Sequence, residues 1–243
     1  MPPVTTRENR IGKDEQAMEL WQKYQLPKSS RTKEGIEWSI HYAYNAPDDS
    51  SPRVFLIGDS ICNGYQGAVR ENLEGKVNVT YWASSKCVTD PMYLRHLDFF
   101  MDQNKYDLIT FNNGLHSLHT DRTEWEMAYR NVIDYLHAKA PNAKLSITLC
   151  TPLQEEPYNS IAVSLNKYEK KLAAEYGYPV LDLYTPMYSL DRNVHWADLY
   201  HFKAEAVAIQ ARVIAEHVLG RLEIASDRVS HASTATGPCG RID

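Results

Sequence analysis

Two short segments, far apart in the chain, carry residue types that catalyse acyl transfer when they meet. A short apolar run ends in a Gly-Asp-Ser turn whose serine is Ser60, and Asp198 stands three residues before His201. A serine hydroxyl is a weak nucleophile until a base removes its proton, and the base needs a third group to fix its tautomer and stabilise its charged form. The pattern therefore predicts Ser60 as nucleophile, His201 as base and Asp198 as the residue that orients His201.

The surrounding sequence predicts a sheet that brings these residues to one edge. From Arg53 onward, short apolar runs alternate with segments of helical period, which is the pattern of βαβ units and a parallel sheet. Helices on both faces would make a three-layer αβα sandwich of the α/β class. In such sheets ligands bind beyond the carboxyl ends of the strands. The five predicted strands span residues 54–57, 77–82, 108–111, 145–149 and 180–183.

Start and stop signals place the helices between these strands. A proline follows Asp90, which predicts one helix start, and Thr123 with Glu126 forms a capping-box pattern at another. Gly177 predicts the end of a helix, because glycine readily adopts the left-handed conformation found there. A last helix is predicted over about residues 202–219.

The first fifty residues stand outside this alternation, so we divide the chain into an N-terminal extension (1–50), a main domain (51–222) and a tail (223–243). The extension is predicted to hold a helix around residues 15–24 and then a strand of period two, which is either an edge strand or part of a lid over the site. The tail has too little apolar content to pack and is predicted to be disordered. The apolar face of the period-two stretch comprises Ile36, Trp38, Ile40, Tyr42 and Tyr44.

Composition argues against several classes of partner. Twenty-six basic residues against 31 acidic ones give a net charge of -5, and no long basic run is present, so nucleic acid is not expected as a partner. No apolar stretch approaches the roughly 18 residues of a membrane span, and the N-terminal segment lacks a signal-peptide core. We therefore expect a soluble, cytoplasmic protein.

Four scattered cysteines without a CxxC pair predict free thiols rather than disulfides or a zinc site.

With these serine and Asp-x-x-His segments, the chain resembles the SGNH, or GDSL-type, hydrolase family. The resemblance covers Arg53 to about Leu219 and implies a flavodoxin-like fold and a serine esterase that needs no cofactor or metal. It also implies the three roles already predicted for Ser60, His201 and Asp198. The backbone NH of Ser60 would be one donor to the oxyanion of the transition state.

Two segments depart from the family pattern, and both concern the oxyanion hole. The second block of the family supplies a glycine NH, whereas residues 83–87 contain no glycine and leave the NH of Ser85 as the candidate. The third block reads Gly-x-Asn-Asp in the family, and counting from Gly114 places His116 in the asparagine position. Either His116 or the amide of Asn113 can complete the hole. Turn formation is the alternative role for Asn113.

The resemblance predicts a small-molecule or carbohydrate ester as substrate, with acetyl as the expected acyl group. A lipase or thioesterase of the same family and a catalytically silent ligand-binding module remain alternatives. The absence of GxSxG, Walker A and GxGxxG motifs argues against other common α/β enzymes. The sequence does not predict the oligomeric state. Aromatic candidates for stacking on a sugar, with core packing as the other interpretation, are Tyr65, Trp82, Trp125, Trp196 and Tyr200.

A metal-assisted hydrolase is a further alternative that the histidines raise. His116 and His119 form an HxxH pair, and His195, His201 and Asp198 are the remaining candidate ligands. The spacing is poor for two ligands on one loop, so no metal is expected.

Overall fold

A six-stranded sheet lies at the centre of residues 18–225, which are the residues described by a computed structural model. Five strands are parallel, and the first is antiparallel to its neighbour β3. Their order across the sheet is β1-β3-β2-β4-β5-β6. All six residues of the second strand are buried, as expected for a parallel strand covered on both faces. The strands are β1 (Ser39–Ala43), β2 (Arg53–Gly58), β3 (Asn78–Ser84), β4 (Leu108–Phe111), β5 (Lys144–Thr148) and β6 (Val180–Leu181).

The five parallel strands confirm the predicted α/β class and sheet. Numbered among themselves they follow the order 2-1-3-4-5, which is that of flavodoxin-like sheets. The strand order reverses between β2 and β4, so a crevice opens there at the carboxyl edge. Such a topological switch point is where ligands bind in doubly wound sheets.

Seven helices complete the described layers. α1 and α7 pack against each other. α2, α3 and α4 lie side by side, since Tyr135 donates to Asp98 and Tyr168 donates to the Glu126 carbonyl. No helix within residues 18–225 is long and apolar enough to cross a membrane. The helices are α1 (Ser60–Asn72), α2 (Tyr93–Met101), α3 (Arg122–Lys139), α4 (Glu156–Tyr176), α5 (Tyr184–Tyr188), α6 (Arg192–His195) and α7 (Ala204–Leu222).

The helix ends correct some of the predicted boundaries. α3 is capped by Asp121, whose side chain accepts from the Glu124 NH, so Thr123 lies inside the first turn and the predicted capping box is wrong. α7 begins two residues later than predicted because Phe202 is held in an antiparallel bridge with Trp196. Gly177 ends α4 at a φ of 70°, which confirms the predicted stop.

The N-terminal extension, as far as it is described, contributes an edge strand and little helix. Only a short 3-10 turn, Leu20–Lys23, stands where a helix over 15–24 was predicted, and residues 15–17 lie outside the described chain. β1 confirms a strand in the period-two stretch. Ile36 and Tyr42 are nevertheless exposed, because the first precedes the paired residues and the second lies on an uncovered part of the edge strand. The predicted disordered tail is described only up to residue 225.

Candidate active site

Ser60 is the first residue of α1 and follows directly from the carboxyl end of β2. Asp59 caps the helix, because its Oδ1 accepts a hydrogen bond of 2.9 Å from the Ile61 NH. Gly58 is required by packing, since a Cβ at this position would lie 2.6 Å from the Cβ of Cys62. Close approach of α1 to β2, rather than a left-handed turn, therefore explains this glycine.

His201 contacts the Ser60 hydroxyl directly. Its Nε2 lies 2.8 Å from Ser60 Oγ, and its Nδ1 lies 2.8 Å from Oδ2 of Asp198. A carboxylate can only accept, so Nδ1 carries the proton and Nε2 accepts from the serine. This is the tautomer that a general base needs.

Asp198 is fixed by its own loop as well as by the histidine. Its Oδ1 accepts from the backbone NH groups of Tyr200 and His201, both at 2.8 Å. Partial burial would raise the pKa of Asp198, but the hydrogen bonds from the His201 ring and the two amides outweigh it and lower the pKa. The carboxylate is thus kept ionised beside His201.

Backbone geometry makes the Ser60 NH available for an oxyanion. The first amides of an α-helix have no carbonyl partner within the helix, and the helix N-terminus carries partial positive charge. Ser60 occupies that position in α1. Its NH can therefore stabilise negative charge that develops next to its own hydroxyl.

Ser85, the candidate from the second block of the family pattern, is hydrogen-bonded to the backbone of Trp38. Its NH donates to the Trp38 carbonyl at 3.2 Å, and its Oγ accepts from the Trp38 NH at 2.9 Å. Ser85 is also completely buried. Because these bonds extend the pairing of β1 with β3, we leave Ser85 out of the proposed oxyanion hole.

Asn113 bridges two loops at the sheet edge. Its Oδ1 accepts from the Val88 NH at 2.9 Å, and its Nδ2 donates to the Lys86 carbonyl at 2.8 Å. The side chain is buried. Asn113 thus holds the loop after β3 against the loop after β4. This is a structural role, as is the turn formation that the sequence offered as the alternative to an oxyanion role.

His116 faces the same cavity as the nucleophile. It lies in a short 3-10 turn, Leu115–Ser117, that follows Gly114. A Cβ on Gly114 would lie 1.9 Å from Cys150 Sγ, so only glycine fits there. The Nδ1 of His116 lies 2.5 Å from Oε1 of Glu34, a residue of the N-terminal extension.

The cavity has a volume of about 370 Å³ and combines polar and apolar walls. That volume suits a small ligand. Ser60, His116, His201 and Glu34 supply polar groups. The rest of its wall is formed by Trp38, Leu115, Leu118, His119 and Tyr200.

Tyr200 is the one of the five predicted sugar-stacking candidates that lines this cavity. The other four are buried in the core or the loops and cannot stack on a ligand. They are Tyr65, Trp82, Trp125 and Trp196. Trp38, interpreted from sequence only as a strand residue, provides an aromatic wall instead.

The described cysteines are buried thiols, and the candidate metal ligands within residues 18–225 do not form a metal site. Burial raises the pKa of Cys62 to about 12, so its thiol stays protonated. Cys87 and Cys150 are also buried free thiols, and Cys239 lies outside the described chain. Between residues 18 and 225 no group of three or more His, Cys, Asp or Glu side chains could hold a metal ion. His195 bonds the Asp191 carbonyl through Nδ1 at 3.0 Å.

Solved structures share this architecture at low sequence identity. An acetyl xylan esterase matches with a TM-score of 0.60 and 19% identity, over 68% of this chain and 99% of its own. An acetylxylan esterase from Geobacillus stearothermophilus matches with 0.59 and 16%, over 74% and 98%. A member of the lipolytic G-D-S-L family from Veillonella parvula matches with 0.56 and 19%, over 68% and 97%. This chain has the SGNH hydrolase fold.

The SGNH fold confirms the architecture that the resemblance implied. No protein-family model matches the sequence, and the search of curated proteins gave no match either. The structural likeness therefore establishes the fold. The chemistry has to be inferred from the geometry of Ser60, His201 and Asp198.

Glu34 is the site residue that the sequence did not reveal. It belongs to an Arg-Thr-Lys-Glu-Gly segment with no recognisable motif, and it meets His116 across 82 residues of sequence. The one nearby signal is the period-two stretch that starts at Ile36. In the structure Ser39–Ala43 pair at the edge of the sheet, and Glu34 and Trp38 line the cavity.

Proposed function

We propose that this protein is a serine esterase that hydrolyses a short acyl ester, with acetyl as the preferred group, of a carbohydrate or similar polar alcohol. The continuous hydrogen-bonded series from Ser60 Oγ through His201 to Asp198 carries the proposal. This series opens into a cavity large enough for a small ester.

In the first half-reaction, Ser60 Oγ attacks the ester carbonyl carbon while its proton passes to His201 Nε2. The carbonyl oxygen becomes an oxyanion, which accepts hydrogen bonds from the Ser60 NH and from His116. Collapse of this intermediate breaks the bond to the alcohol oxygen, and His201 gives its proton to the leaving alcohol. An acyl-enzyme on Ser60 remains.

The second half-reaction releases the acid. Water attacks the acyl carbonyl as His201 Nε2 takes its proton, and the same oxyanion donors act again. The bond to Ser60 Oγ then breaks, and the proton returns from His201 to the serine. No redox or group-carrying cofactor enters this balance.

The proposed substrate class follows from the cavity walls. Trp38 and Tyr200 offer aromatic surfaces on which a sugar ring can pack, while Leu115 and Leu118 offer apolar surface to an acyl chain. Two of the fold neighbours are acetylxylan esterases, which supports acetyl on a polysaccharide alcohol as the first substrate to test.

Active-site labelling with substrate turnover tests the proposal. A fluorophosphonate probe should label the wild-type protein at Ser60, and the protein should hydrolyse p-nitrophenyl acetate and acetylated sugars faster than longer acyl esters or thioesters. Ser60→Ala should abolish labelling, whereas the exposed Ser189→Ala should not. A wild-type protein that neither labels nor turns over any ester would overturn the proposal. Ligand binding without turnover would favour the silent binding module, and preference for long acyl chains or thioesters would favour the lipase or thioesterase alternative.

A further inference from the structure

Three tyrosines, Tyr200, Tyr158 and Tyr188, form an aromatic strip that leads away from the cavity. Tyr200 lines the cavity and packs near His201, with ring centroids 6.3 Å apart. Tyr158, in the first turn of α4, is 44% exposed, and Tyr188, at the end of α5, is 47% exposed. Because α4 and α5 follow β5 and β6 in the chain, they begin at the edge of the sheet that holds Ser60. The aromatic strip and the proposed nucleophile therefore share this edge.

The two ends of the aromatic strip are joined through the backbone of Gln154. Its NH donates to the carbonyl of Leu199, the neighbour of Tyr200, at 2.9 Å. Its carbonyl accepts from Nη1 of Arg192 at 2.7 Å. The Arg192 guanidinium in turn lies over the Tyr188 ring, 5.3 Å from its centroid. Direct contacts thus fix the position of Tyr188 relative to the cavity wall.

Tyr158 lies between these two ends. On one side, the adjacent Asn159 donates to the Tyr184 hydroxyl at 2.9 Å, and the Tyr184 ring stacks on Tyr188 with centroids 5.4 Å apart. On the other side, burial raises the pKa of Tyr200, and the nearby phenol of Tyr158 acts in the same direction. Tyr158 is therefore close to both Tyr200 and the stacked pair.

The chemistry of the aromatic strip fits a sugar chain better than a lipid. Exposed tyrosine rings that are held in place offer contact area at a low cost in conformational entropy. Glu156 accepts a hydrogen bond from Arg192 beside Tyr188, and both side chains retain exposed surface. The apolar face of a sugar can pack on the rings while its hydroxyls bond to these charged groups. A lipid chain would instead have to bury the two charges without hydrogen-bonding to them.

We propose that the aromatic strip is a subsite for the glycan chain of the substrate, so that the protein prefers esters of oligosaccharides and polysaccharides to esters of single sugars. This inference rests on the proposed esterase function. The cavity, at about 370 Å³, suits a small ligand, so further sugar units must lie outside it. Tyr200 at the cavity wall begins the surface that receives them. Because this binding is remote from the reacting carbonyl, it should lower KM and leave kcat nearly unchanged.

The test compares kcat and KM for p-nitrophenyl acetate, an acetylated monosaccharide and acetylated neutral oligosaccharides of the same sugar. In the wild type, KM should fall as the oligosaccharide becomes longer. Tyr188→Ala should raise KM for the longest oligosaccharide about threefold to tenfold more than KM for p-nitrophenyl acetate, with little change in kcat. Tyr188→Phe keeps the ring and should behave like the wild type. Tyr158→Ala should change KM in the same direction, and it provides the test if Tyr188→Ala does not fold.

The matched control is Tyr42→Ala, because this tyrosine is 56% exposed on the edge strand β1, away from the aromatic strip. It should leave the dependence of KM on chain length unchanged. A wild-type KM that does not depend on chain length would overturn the inference, as would equal KM changes for all substrates in Tyr188→Ala. Binding to phosphatidylcholine vesicles that Tyr188→Ala weakens, without any chain-length effect, would assign the aromatic strip to a lipid surface instead. Each of these results in an active wild type leaves the esterase proposal intact, whereas an inactive, unlabelled wild type would overturn both.

Discussion

The two histidine–carboxylate pairs at the cavity differ greatly in how far apart their members lie in the sequence. His201 and Asp198 are three residues apart in one loop, and that loop also donates two backbone NH groups to the carboxylate. His116 and Glu34 are 82 residues apart, and Glu34 is held through the ion pairs of Arg31. The first pair is secured by its own loop, whereas the second depends on the N-terminal segment staying docked. Disturbing that segment should thus damage one pair and spare the other.

Removing the base should have the largest effect. His201→Ala leaves Ser60 without a proton acceptor, so kcat/KM for p-nitrophenyl acetate should fall by roughly 10⁴-fold or more. The exposed His137→Ala, at the other end of the sheet, should retain activity. A loss below about tenfold in His201→Ala would contradict the assigned base.

Removing the second histidine should cost less, because we propose it only as one of the oxyanion donors. His116→Ala should lower kcat by roughly 10² to 10³-fold, while fluorophosphonate should still label Ser60, more slowly. The comparison between the pairs breaks if His116→Ala is as damaging as His201→Ala. It also breaks if His116→Ala is silent, since the oxyanion would then be stabilised by other groups.

Releasing the docked N-terminal segment should lower the free energy of unfolding more than it disturbs the triad. Arg31→Met leaves the buried Asp90 with Lys86, at 3.8 Å, as its remaining cation and with a hydrogen bond from the Met92 NH, so the free energy of unfolding in urea should drop by about 3 kcal/mol. The matched control is Arg130→Met, which breaks the half-exposed pair with Glu175 and should cost less than about 1 kcal/mol. Similar losses in the two variants would show that the Arg31 network does not anchor the segment.

The same network predicts a particular acid sensitivity. Burial opposes ionisation of Glu37, but hydrogen bonds from Arg31, the Glu34 NH and Lys86 lower its pKa from 4.5 to about 2. Because this pKa is lower in the folded chain, the stabilisation is present above about pH 4.5 and is lost as the pH falls towards 2. Wild type should lose more unfolding free energy across that window than Glu37→Gln. Parallel curves for the two proteins would contradict the assignment.

An effect of opposite sign is expected behind the His116 loop. Burial raises the pKa of Glu169 to about 8, and this residue accepts from Cys150, the thiol that contacts Gly114. The folded chain keeps Glu169 protonated while the unfolded chain ionises, so stability should decline as the pH rises from about 4.5 to about 8. Glu169→Gln should flatten this decline in urea-unfolding curves measured at several pH values. An unchanged slope would mean that Glu169 ionises normally.

Local patterns predicted much of the fold and one pair of the site. Buried parallel strands appear as short apolar runs, and Gly177 marks a helix end, because both depend on neighbouring residues. The start of α3 was predicted at the wrong residue because Thr123 and Asp121 both fit a cap, and only the path of the chain selects Asp121. The Asp198–His201 spacing was informative since one loop brings the two side chains together.

By itself, the sequence determined the parallel sheet, its carboxyl edge as the place of the site, and Ser60, Asp198 and His201 as the candidate triad. Only the tertiary structure decided the contacts of the three residues that the sequence offered for an oxyanion hole besides Ser60. Ser85 is hydrogen-bonded to Trp38, Asn113 joins two loops, and His116 is paired with Glu34. These contacts join segments that lie far apart in the chain, where no local spacing constrains them. The contacts of Ser85 with Trp38 and of His116 with Glu34 form only when the edge strand β1 and the Arg31 ion pairs bring the N-terminal segment to the cavity.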